Sequence, residues 1–256
     1  MTNLRNLVFG DDGSAAADQA FLWIASHDWP GWNLEIVHAI APPLGPPVPA
    51  AEAELHPWSP PHPRSIEASF GHVEHLTGTI DPRLALLRPA DLVAIGPRGT
   101  GLLKSLHLGS TAEWLLAQPA APIAIVRRPS PVRRALIAHD GSDDADAVTR
   151  ALAAMPWIRE VEITVVTASD GRADADAAAA RAIEILAAAG STPSTLSTSG
   201  APTESLVDVI TASDPDLVAV GTRGLSRWPS RGLGSTANAI VRSSECTVLV
   251  ARADQS

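Results

Sequence analysis

Asp216-Leu217-Val218-Ala219-Val220-Gly221-Thr222-Arg223-Gly224, followed after nine residues by Gly234-Ser235-Thr236-Ala237, decides how this chain folds. The apolar run is short and ends in glycine, as a buried strand does. A helical pattern starts near Ser235. Strand, glycine loop and helix N-terminus together form a phosphate cradle. Glycine admits φ > 0 and lets an anion come close to the backbone amides. The first helical turn adds unpaired N–H groups and partial positive charge.

The stretch occurs twice. Asp91-Leu92-Val93-Ala94-Ile95 runs into Gly96-Pro97-Arg98-Gly99, then nine residues, then Gly109-Ser110-Thr111. From Asp91 to Ala112, 13 of 22 positions match those from Asp216 to Ala237, against roughly one in fifteen to twenty from ordinary residue usage. This is an internal repeat. It divides the 256 residues into two expected domains, 1–128 and 133–256, joined by the proline-stiffened linker Arg127-Arg128-Pro129-Ser130-Pro131.

Working outward, the second half alternates strands and helices. A strand over 133–138 leads to Asp140-Gly141-Ser142, and Ser142 begins a helix over 143–154. Asp143, Asp144 and Asp146 fall in its first turn, where the helix dipole favours them. A strand over 160–168, a helix over 174–189 stopped by Gly190, a weak edge strand over 196–199 and a helix over 203–212 precede the opening stretch. A last strand over 247–251 closes the half. The first half repeats the order, with Asp12-Gly13-Ser14 as counterpart of Asp140-Gly141-Ser142, until nine prolines between Pro42 and Pro63 forbid the expected second helix. That excursion, 42–63, is either a lid or docking arm, or an irregular replacement for a lost helix. The alternation predicts an α/β fold: two tandem domains, each an open five-stranded parallel sheet flanked by helices.

Hydrophobic content of 45 %, charged content of 18 % and a net charge of −9 describe a globular chain with an acidic surface. The acidic excess is spread over both halves and argues against nucleic acid as the main partner. The single cysteine, Cys246, lies in an apolar run and is expected to be a structural thiol. The apolar run from Leu4 reaches glycine by position 10, too short for an export signal or membrane span, so a cytoplasmic protein is expected. Seven of the eight histidines are in the first half, among them His56, His62, His72 and His75, and none has a spacing diagnostic of a metal site.

Open parallel sheets bind ligands beyond the carboxyl ends of their strands. There the aspartate turn and the glycine loop of each half can meet. A carboxylate beside an anion cradle suits a nucleotide, with Arg223, Arg227 and Arg231 adding positive charge in the second half and Arg98 and Lys104 in the first. No P-loop and no dinucleotide fingerprint is present. Nor does the chain carry a general base, a nucleophile pair or paired metal carboxylates in a recognisable pattern.

G-x-x-G, nine residues and G-[ST], after a strand and in duplicate, resembles the ATP-binding signature of the universal stress protein family. Asp-Gly-Ser after each first strand is similar to that family too. The resemblance implies an adenine-nucleotide-binding α/β sandwich whose two domains pair through their terminal strands, with a homodimer or an unidentified protein partner also compatible. It implies that Gly96, Gly99, Gly109, Ser110 and Thr111 hold phosphates and ribose in one site, and Gly221, Gly224, Gly234, Ser235 and Thr236 in the other. By the same match Asp12 and Asp140 lie near the nucleoside, and Ala39 and Ala168 near adenine. The implied ligand is ATP, with or without magnesium, bound by a stress sensor or regulator. The alternatives are a slow ATPase or autophosphorylating protein, with Asp140 positioning metal or water, and an interaction scaffold that has lost nucleotide binding. In the first half, Pro97, Leu102 and Leu103 replace residues that would make its loop more polar.

Overall fold

The computed structural model of the chain describes residues 4–40, 55–60, 63–66, 69–99, 108–169, 174–224 and 232–253. Most of the proline-rich excursion, together with Leu102, Leu103, Lys104, His107, Arg227 and Arg231, lies outside the described residues.

Eleven strands form one sheet. In the first half these are β1 (Arg5–Gly10), β2 (Trp32–Ile40), β3 (His56–Pro57), β4 (His72–Thr79), β5 (Leu92–Ile95) and β6 (Ile123–Ile125). In the second they are β7 (Arg134–Ala138), β8 (Glu162–Ser169), β9 (Ser194–Ser199), β10 (Leu217–Gly221) and β11 (Thr247–Ala251). Each half contributes five parallel strands in equivalent order, β4-β2-β1-β5-β6 and β9-β8-β7-β10-β11. The two-residue β3 adds antiparallel to β4 at one edge. Each half therefore forms the parallel sheet that the alternating pattern predicts.

The halves join where β6 and β11 pair antiparallel, with Ala124 opposite Leu249. These two residues are counterparts in the repeat. A pseudo-twofold axis therefore passes between them, and the interface is isologous, as in a symmetric dimer.

Period-two alternation sends strand side chains to two helical layers. Leu7, Phe9, Leu92, Ala94, Leu217 and Ala219 face one layer. It is built by α1 (Ala15–Ala25), α4 (Asp143–Ala153) and α5 (Ala175–Ala188). Val8, Val93, Ile95, Val218 and Val220 face the other. That layer comprises α2 (Pro82–Ala85), α3 (Ser110–Ala117), α6 (Pro202–Ser213) and α7 (Ser235–Ser243). Cys246 is buried in the second layer, and burial pushes its thiol up to about 11, which suits a structural role.

The first half has no counterpart of α5 among the described residues, and the chain compensates. In the second half, Arg181 of α5 binds Asp146 and donates to the Gly141 carbonyl at 2.7 Å. The counterpart of Asp146 is Asp18. It receives Arg64, which also makes a two-pronged pair with Asp11 at 2.6 and 2.7 Å. Phe70 stacks on Trp29, with ring centroids 5.8 Å apart. So residues that follow the prolines supply the cation and some of the apolar cover that a helix supplies in the other half.

Candidate functional site

Each aspartate turn begins at the carboxyl end of a first strand. Gly141 has φ +82° and Gly13 φ +71°, a left-handed conformation that explains glycine at both positions. Ser142 then caps α4, its Oγ accepting from the Ala145 amide at 3.2 Å; Ser14 caps α1 from Ala17 at 3.1 Å.

The same serines reach the glycine loops. Ser142 Oγ donates to the Arg223 carbonyl at 3.3 Å, and Ser14 Oγ to the Arg98 carbonyl at 3.5 Å. Contact is closest at the second glycine of each loop. A Cβ added at Gly224 would lie 2.5 Å from Asp140 Oδ2, and one at Gly99 would overlap Asp12 Oδ2 further still. Two segments about 80 residues apart in sequence thus meet, in both halves, in the same way.

The first glycine of each loop has a different job. A Cβ at Gly221 would come within 2.7 Å of the Asp144 carbonyl carbon, and at Gly96 within 2.8 Å of Ala16. These glycines let the first turn of α4 or α1 press on the strand end. The third glycine caps a helix. Gly234 and Gly109 are the N-caps of α7 and α3, and neither helix has a side-chain cap. Each glycine amide is turned inward, Gly234 to the Thr222 carbonyl and Gly109 to the Pro97 carbonyl, both at 2.8 Å. The first-turn amides at Ser235, Thr236, Ser110 and Thr111 belong to the class of donors that an α-helix leaves without intrahelical partners. Thr236 Oγ1 lies 2.9 Å from Thr203 Oγ1, at the start of α6.

Ala39 and Ala168 sit at the ends of β2 and β8. Ala39 packs against the α3 and α7 layer, and Ala168, two residues after Val166 of that layer, takes the same face. All the described site residues of a half therefore gather at one edge of the sheet.

Sequence reasoning missed Asp144. Its carboxylate accepts from Thr222 Oγ1, from the Arg223 amide at 3.0 Å and from the Ala253 amide at 2.9 Å. It pins the second glycine loop to the end of β11. The counterparts of Asp144 and Thr222 are Ala16 and Pro97, so the first loop lacks this clamp. Comparing the two halves position by position would have flagged the paired change. Arg223 Nε is buried with no hydrogen-bond partner among the described residues.

His139, which directly precedes Asp140, points inward. It is 2 % exposed, its Nδ1 accepts from the Gly141 amide at 3.2 Å and its Nε2 faces Asp146 Oδ1 at 3.1 Å. It braces the turn from beneath. Among the described residues no cluster of His, Cys, Asp or Glu could hold a metal ion. None of their helices is long and apolar enough to cross a membrane.

A sequence model of the universal stress protein family matches residues 3–127 and, again, residues 131–252. The chain belongs to the universal stress protein family. It carries the family unit in tandem. No curated protein matches it. Among solved structures, a universal stress protein from Archaeoglobus fulgidus is 18 % identical, covers 99 % of this chain and 100 % of its own, and superposes with a TM-score of 0.64. A functionally unknown protein from Pseudomonas aeruginosa is 13 % identical over 99 % of this chain and 94 % of its own, at a TM-score of 0.60. Both share the fold of this universal stress protein over nearly its whole length. A universal stress protein solved in complex with cAMP is 30 % identical over 48 % of this chain and 98 % of its own, at a TM-score of 0.41.

Proposed function

We propose that this universal stress protein binds an adenine nucleotide, ATP in the first instance, in each half, and acts as a nucleotide-dependent sensor or regulator. The observation that carries the reading is the packing of Asp140 against Gly224, repeated by Asp12 and Gly99. It sets an acceptor for sugar or base beside a loop of amide donors. Gly224, Gly234, Ser235 and Thr236 would hold the phosphates through backbone and hydroxyl groups, with Gly221 letting the loop pack and Arg223 Nε a buried donor that has no partner among the described residues. Ala168 would border the base. The second site is the tighter one, because Asp144 clamps its loop. Gly96, Arg98, Gly99, Gly109, Ser110, Thr111, Asp12 and Ala39 would form the weaker first site. The nucleotide supplies charge and a metabolic signal; magnesium, where present, would arrive with its phosphates. The same reading has the protein work in the cytoplasm, with domains 1–128 and 133–256 paired within one chain.

The gentlest test uses the purified protein. Its absorbance should be raised at 260 nm relative to 280 nm, and mass analysis of an acid extract should return an adenine nucleotide. An extract free of nucleotide, together with no thermal shift on adding millimolar ATP, would favour the scaffold alternative.

A further inference from the structure

β6 ends where the first glycine loop begins. Ile125 lies opposite Ile95, and the Val126 amide donates to the Ile95 carbonyl at 2.9 Å. The next residue, Arg127, therefore runs beside the start of Gly96-Pro97-Arg98-Gly99. Val126 faces the layer of α1 and α4. Arg127 turns to the opposite layer, where α3 begins and α7 ends. There its Nη2 donates to the Val241 carbonyl, in the last turn of α7, at 2.6 Å.

The charge around Arg127 is unbalanced. Its Nη1 is buried with no hydrogen-bond partner, and no carboxylate pairs with it among the described residues. Burial, and then the nearby Arg98, hold its guanidinium below the usual arginine range. Arg98 in turn adjoins the start of α3: a Cβ added at Gly109, the N-cap, would lie 3.4 Å from Arg98 Cα. The acid in the first turn of α3, Glu113, is engaged by Arg242 at 2.9 Å. Two arginines thus lie by a helix N-terminus that has no side-chain cap. A buried charge without a partner is costly, and the donor fork of a guanidinium matches phosphate oxygens.

Bracing α7 does not account for the residue. The repeat places arginine here twice, with Arg252 following β11 beside Thr222. Among the described residues Arg252 makes no bond to the carbonyl of Leu116, the counterpart of Val241. What the two arginines share is a place at the edge of a glycine loop. We infer that Arg127 is a phosphate ligand of the first nucleotide site and favours nucleoside di- and triphosphates over monophosphates there. The inference rests on nucleotide binding in the first half and adds to it a ligand from outside the loop. The guanidinium edge that α7 does not use takes oxygens of the outer phosphates, which AMP lacks.

The test is calorimetry on the full chain carrying Gly234→Asp, which leaves the first site to be read alone, with ATP and AMP titrated before and after Arg127→Met. ATP affinity should fall at least tenfold and AMP affinity less than twofold. Arg127→Lys keeps the charge and a donor for the Val241 carbonyl but not the fork, and should lie between. If Arg127→Met fails to fold, Arg127→Lys carries the same comparison. Unchanged ATP affinity overturns the inference. So does an equal loss for ATP and AMP, which would make Arg127 a brace for α7 only. A Gly234→Asp protein that binds no ATP while the wild type does overturns it too, since the first half then holds no nucleotide. A wild type that binds neither nucleotide is a different result, which removes the nucleotide reading as a whole and this inference with it.

Discussion

Gly234→Asp is expected to weaken ATP binding at the second site at least a hundredfold while leaving the protein as stable as before, or more so. Gly234 has φ −64° and ψ 164°, the extended conformation an aspartate N-cap adopts. An added Cβ would meet nothing nearer than the Thr222 carbonyl oxygen at 3.4 Å. The new carboxylate would accept from the first-turn amides of α7 and complement its dipole, worth about 0.3–1 kcal/mol. Those same amides are the ones proposed for phosphate, so the carboxylate would take their place and repel what they bind. A glycine retained at an N-cap where aspartate would be more stabilising is how a chain keeps a cradle open. Calorimetry and thermal melting of the variant separate the two effects. Full ATP affinity in a well-folded Gly234→Asp would show that α7 does not hold the ligand.

Acid should loosen the joint between the halves. His27 is 7 % exposed, among Trp23, Trp29 and Trp157. Its Nδ1 lies 2.8 Å from the Trp23 carbonyl and its Nε2 accepts from the Val132 amide, so the ring is held neutral with Nδ1 as donor. Burial, with Arg133 nearby adding to it, lowers its pKa to about 4 from 6.5. The unfolded chain takes up this proton as pH falls through 6.5, whereas the folded protein refuses it until about pH 4. The stabilisation is complete above 6.5 and is lost progressively down to about pH 4, a total of about 3 kcal/mol at 1.36 kcal/mol per unit. His139 and His75 are shifted in the same direction, so the informative quantity is a difference between proteins. Between pH 7 and 4.5, wild type should lose about 2–3 kcal/mol more unfolding free energy in urea than His27→Gln. Equal losses would mean that the ring carries no such cost.

The repeat made most of this architecture legible. Two copies of one strand, loop and helix at equal spacing fixed domain number and sheet type together, because a chance match of that length is improbable. The pairing of β6 with β11 came from the family resemblance, since nothing in a three-residue strand names its partner. The candidate site was legible as three glycines, but their separate duties were not. Gly221 serves helix approach, Gly224 clears the Asp140 carboxylate, and Gly234 leaves a helix uncapped. One-dimensional spacing cannot distinguish a glycine that faces a ligand from one that faces a helix. Asp144 read as a dipole-favoured acid in a first turn, whereas its oxygens span three chain segments that only tertiary structure brings together. Arg64 carried no signal at all, standing alone after a run of prolines. Its partnership with Asp11 and Asp18 is visible only once the absent helix leaves a place to fill.

Calorimetric titration of nucleotide-stripped protein with ATP tests the central claim most directly. Saturable binding of micromolar order, at a tight site lost in Gly234→Asp and a weaker one lost in Gly109→Asp, is the expected result. No heat and no saturation up to millimolar ATP, in protein that still melts cooperatively, would contradict it.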